Sequence, residues 1–91
     1  MVRRSRLEIY FEVLEVIGRE VDKPTQIMYK TNLSWIVLKE MFETLITGGF
    51  IREENEKSSQ RYYVTEKGEN ALNYHRKSLE GLVKVEPIFS R

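Results

Sequence analysis

Cysteine is absent from the 91 residues, which excludes disulfides and thiolate-bound zinc and suits a reducing compartment. Histidine occurs once, at position 75, and aspartate once, at position 22. A catalytic site needs a nucleophile with its base, a metal set or a phosphate cradle, and this inventory supplies none with recognisable spacing. The expectation is therefore a protein that is not an enzyme and carries no metal or cofactor. The longest apolar run, Trp35-Ile36-Val37-Leu38, falls far short of the roughly 20 residues of a membrane span. The arginine-rich start leads into a glutamate-studded segment, unlike a secretory signal. A cytoplasmic, nucleoid-associated chain with no membrane or small-molecule partner is expected.

What is present fits one folded unit: 41% apolar and 32% charged residues, in a length suited to a single domain over 1–91. The net charge is only +1, a modest footing for gripping phosphates. Its distribution is more telling. Residues 1–6 form a basic arm with Arg3, Arg4 and Arg6, whereas four glutamates face one arginine over residues 7–20.

Ser5 and Glu8 have the spacing of a capping box, so a first helix should start here and end near Glu20. Leu7, Tyr10, Leu14, Ile17 and Val21 mark its apolar stripe, and Ile9, Val13 and Val16 widen the arc to about 200°. That is more than one packing partner needs. A brief second helix over Pro24 to Lys30 uses proline in its first turn. Thr31-Asn32-Leu33-Ser34 then reads as a tight turn ending in a cap for a third helix, Trp35 to Thr47. Trp35, Leu38, Met41, Phe42 and Leu45 form its inner face, with Ile36, Lys39, Glu40, Glu43 and Thr47 outside. Gly48-Gly49 should stop it in a Schellman turn with Phe50 folded back. Phe50-Ile51 and Arg61 to Val64 read as strands around a polar loop, Arg52 to Gln60. Thr65 caps a last helix over about 65–85 that stops shortly before Pro87.

Several residues that could suggest chemistry have plainer roles. His75 lies on the apolar stripe of the last helix without a ligand partner at metal spacing. Gly48-Gly49 is followed by a strand and so cannot open a phosphate-binding helix. Glu53, Glu54 and Glu56 lack the pattern of a calcium loop. Trp35, Tyr62 and Tyr63 could stack on bases, but Trp35 is expected to pack into the turn, and one of the paired tyrosines must face inward.

The order of helix, short helix, turn, helix and two-stranded wing is that of a winged helix-turn-helix: α+β, mainly α, with a three-helix core, a wing and a C-terminal helix. The string Ile27 to Trp35, followed by Leu38, Leu45, Gly49, Ile51, Tyr63 and Thr65-Glu66-Lys67-Gly68, resembles an archaeal winged-helix family of predicted transcriptional regulators. That family includes small chromatin DNA-binding proteins. The similarity covers about Leu7 to Leu82, and Thr65 to Gly68 alone would be a common winged-helix feature. The resemblance implies an archaeal or archaeal-virus source and dimerisation through the C-terminal helix.

Double-stranded DNA is the expected partner, with helix 35–47 in the major groove. Candidate contacts are Arg3, Arg4 and Arg6 on the arm and Lys30, Thr31 and Asn32 at the turn. Ser34, Trp35 and Lys39 follow on the helix, and Lys57, Ser58, Ser59, Gln60 and Arg61 on the wing. Asn32, Lys39 and Gln60 have the best access to base edges. A homodimer should pair through Leu72, His75, Leu79 and Leu82 together with Ile9, Val13 and Val16. The alternative partner for the dimer stripes is the chain itself, the last helix folding back over the first. The alternative functions are a protein-interaction module without DNA binding and a non-specific chromatin protein.

Overall fold

The computed structural model describes residues 4–89, with side-chain surroundings given for residues 4–79. Helix α1 (Arg6–Gly18) begins at the expected capping box: the Ser5 hydroxyl accepts from the Glu8 N–H, and the Glu8 carboxylate accepts from the Ser5 N–H. The Ser5 N–H first, and then the Ser5 hydroxyl, hold the Glu8 carboxyl below its ordinary pKa. The helix ends two residues before the expected Glu20, which turns the chain with a positive φ of 66°. Helix α2 (Pro24–Thr31) stops at Asn32, whose φ of 57° and ψ of 41° lie in the left-handed region that asparagine tolerates better than most residues. Helix α3 (Trp35–Thr47) starts on the Ser34 hydroxyl, which accepts from the Val37 N–H.

The stop after α3 is the expected Schellman turn. The Phe50 N–H donates to Leu45 O at 2.9 Å and the Gly49 N–H to Ile46 O at 3.0 Å, with Gly49 at a φ of 81°. Strands β1 (Ile51–Glu56) and β2 (Ser59–Val64) then pair antiparallel, Ile51 opposite Val64 and Glu56 opposite Ser59. The polar segment expected as a loop is therefore largely strand. Its charged side chains are exposed along a hairpin that only Lys57 and Ser58 close, Lys57 with a φ of 56°. A polar sequence can pair as a strand when both of its faces are wet, and no apolar period announces it.

Helix α4 (Glu66–Phe89) passes through Pro87 instead of stopping before it. The fixed φ of proline fits a helix, and its missing N–H removes one backbone bond. At the other end the Thr65 hydroxyl accepts from the Gly68 N–H at 3.2 Å. No helix among the described residues is long and apolar enough to cross a membrane.

One core joins the elements: Val13, Leu14 and Ile17 of α1, Ile27 of α2, Leu38, Met41, Phe42 and Leu45 of α3, Ile51, Tyr62, and Leu72 of α4. Phe42 and Tyr62 stack with ring centroids 4.1 Å apart and clamp the wing base to α3. Of the adjacent tyrosines, Tyr62 is the inward one, at 4% exposure. Burial first, and then the Glu53 carboxylate that its hydroxyl bonds at 3.0 Å, push its phenol pKa well up.

Candidate nucleic-acid interface

On α3 the buried residues Leu38, Met41, Phe42 and Leu45 occupy one side, and at about 100° per residue the opposite side carries Ile36, Glu43 and Thr47, flanked by Lys39 and Glu40. The helix N-terminus is presented by two local devices, the left-handed Asn32 and the Ser34 cap, and Asn32, Ser34 and Lys39 are all exposed. The first N–H groups of α3 have no carbonyl a turn behind them, so this end is electropositive. Ion pairs among the described residues leave Lys30, Lys39 and Lys57 unengaged.

Several candidate contacts have partners within the chain itself. Thr31 is 3% exposed, its hydroxyl donating to Ile27 O at 2.8 Å within its own helix, so it faces the core and cannot reach a phosphate. Arg61 is withdrawn too: it pairs with Asp22 at 3.0 Å, both side chains only about a quarter exposed, and the Tyr62 N–H donates to Asp22 O at 3.0 Å. Together these bonds fasten the wing base to the α1–α2 connection. Arg4 is drawn back over α1, pairing with Glu12 and donating to Thr31 O at 3.1 Å, while Arg6 reaches Glu40 at 3.4 Å. At these two positions the arm lies over the helices, with the Arg4 and Arg6 side chains still 36% and 65% exposed. Arg3 lies outside the described residues.

Trp35, expected to be buried, is 44% exposed and touches Phe42 edge-on with centroids 6.3 Å apart. As the first residue of α3 it has no preceding turn to cover it. At the wing, Lys57, Ser58, Ser59 and Gln60 are exposed and line a groove with Asn55 and with Lys23, Pro24 and Thr25 at the start of α2. Lys23 was missed because Asp22-Lys23-Pro24 reads simply as a connector. Ile36, on the outer face as helical phase expects, is 74% exposed.

The dimer candidates also divide. Val13 at 0% and Leu72 at 1% exposure sit in the chain's own core and leave the surface set. Ile9 and Val16 pack partly against that core. His75 stacks on Phe11, ring centroids 4.0 Å apart, and Arg76 lies 3.5 Å from Glu15. The first turns of α4 thus fold back on α1, which uses up much of the wide apolar arc. Leu79 is 49% exposed, and the Leu82 side chain lies outside the described residues.

Three comparisons bear on this geometry. The chain matches the winged helix-turn-helix family over residues 3–82. An uncharacterised protein of Methanocaldococcus jannaschii is 38% identical over 55 residues, 60% of this chain and 57% of that one, so the chain spans little more than half of that relative. Among solved structures, Sso10a-2, a DNA-binding protein from Sulfolobus solfataricus, superposes with a TM-score of 0.69 at 23% identity, covering 96% of this chain and 94% of that one. Streptococcus pneumoniae FabT, solved in complex with DNA, gives 0.72 at 20% identity, covering 97% and 66%.

Proposed function

The chain belongs to the winged helix-turn-helix family, and from that premise we propose that it binds double-stranded DNA as a transcriptional regulator, with the N-terminal half of α3 in the major groove. The observation that carries this reading is the exposed, Ser34-capped start of α3 beside the unpaired Lys30 and Lys39. Lys57 and Ser58 at the wing tip, with Lys23 across the groove, hold the phosphate backbone. Nothing in this arrangement calls for catalysis, and a cytoplasmic site of action follows from a DNA partner.

The test is a gel-shift series with promoter and random duplexes at two salt concentrations. Replacing Lys30, Lys39 and Lys57 together by alanine is expected to weaken binding and to lower the salt slope by about 0.9 for each phosphate that is no longer neutralised. An unchanged slope removes these lysines from the site. Strong sequence preference supports the regulator, uniform weak binding the chromatin-type protein, and none at all the protein-interaction module.

The second half of the proposal is a homodimer through the distal part of α4, since Leu79, of the expected stripe, stands exposed among the described residues. Sedimentation equilibrium at tens of micromolar is expected to give about twice the 10.9 kDa of one chain. Leu79→Glu with Leu82→Glu should lower that mass. A single 10.9 kDa species before substitution rules the dimer out.

A further inference from the structure

We propose that Ile36 is a specificity-determining residue that reads thymine 5-methyl groups, so that the chain prefers A·T-rich major grooves; this rests on the DNA-binding reading above. Ile36 is 74% exposed and lies in the first turn of α3, on the side directly opposite the buried Leu38, Met41 and Leu45. A lone exposed isoleucine elsewhere on the surface would call for no explanation. Here it occupies the end of the helix that enters the groove, with Trp35, 44% exposed, beside it.

An isoleucine side chain offers no hydrogen bond, and among the features that bases present in the major groove the apolar one is the thymine methyl. Its surroundings favour nucleic acid over an apolar protein patch. Lys39 lies one turn further along the helix, the free N–H groups of Trp35 and Ile36 make this end electropositive, and Glu40, which would repel phosphates, is drawn to Arg6 at 3.4 Å. The neighbours of Ile36 on its own face, Lys39, Glu40, Glu43 and Thr47, are polar, so Trp35 alone extends its apolar surface on α3, a small patch for a protein partner to cover.

The experiment compares the full chain on two duplexes of about 24 base pairs, long enough for two turns of groove, one of alternating A·T and one of alternating A·U. Uracil removes the methyl and keeps every charge, every hydrogen-bonding edge and the minor-groove pattern. Fluorescence anisotropy should show tighter binding to the A·T duplex, by about fourfold per contacted methyl. Ile36→Ala should lose that preference, its affinities for the two duplexes becoming equal, with an unchanged salt slope. Equal affinity of the unsubstituted chain for the two duplexes, or a preference that survives Ile36→Ala, overturns the inference and leaves DNA binding standing. Failure to bind these or any mixed-sequence duplex overturns both.

Discussion

Phe42→Ala is expected to lower stability by about 3–5 kcal/mol, a large share of the roughly 5–15 kcal/mol that holds a small domain together. Phe42 is 2% exposed and stacks on Tyr62, with Trp35 against its edge. Truncation would leave a cavity where α3 packs against Tyr62 at the wing base. The surrounding pieces cannot easily collapse into it, because Tyr62 is also held by its backbone bond to Asp22 and its hydroxyl bond to Glu53. For a chain of this size the melting temperature should fall by roughly 15–30 °C. A thermal melt within a few degrees of the parent would show that the α3–wing contact contributes little.

Gly68→Ala should be comparably severe for the opposite reason. A Cβ on Gly68 would lie 2.2 Å from the carbonyl oxygen of Phe50 and 2.6 Å from a Val64 methyl. The first obstacle is backbone, which cannot rotate out of the way as a long side chain does. To admit the methyl, α4 must lift from the sheet, and with it go the Thr65 hydroxyl bond to Gly49 O and the Lys67 bond to Gly48 O. The cost should reach or exceed the upper end of the about 1–3 kcal/mol usual for overpacking. Urea unfolding is the measurement: the midpoint should drop with little change in slope. An unchanged midpoint would mean that the start of α4 tolerates displacement.

The helices were legible because each announces itself locally. Ser5, Ser34 and Thr65 cap three of them, Gly49 stops α3, and the 3.6-residue apolar period marks the buried sides of α1 and α3. The length of the wing strands was not legible, since Arg52 to Glu56 is wet on both faces and carries no alternation to read. Within the site, exposure on α3 followed from helical phase, yet the identity of the free cations did not. By residue type alone, Arg4, Arg6 and Arg61 are bases like Lys57. What sets them apart is their pairing with Glu12, Glu40 and Asp22, residues 8 to 39 positions away, and sequence spacing says nothing about such partners. Val13 and Leu72 read as interface residues in sequence for a related reason. Amphipathic width tells how much surface must be covered and leaves open whether the cover is a second copy or a later part of the same chain.

Phe42 on Tyr62, Asp22 on Arg61 and the buried Ile51 opposite Val64 hold the wing over the half nearer the core. Lys57 and Ser58, at the far end, close the hairpin with exposed side chains. The hairpin is therefore open to lengthening at its tip. Residues inserted between 57 and 58 would leave the strand register and the anchor untouched, and loop closure becomes costlier by only about 0.6 kcal/mol for each doubling of length. The same body could in this way carry wings of different reach and charge, so that what is gripped can diverge between related chains while the way they fold stays the same.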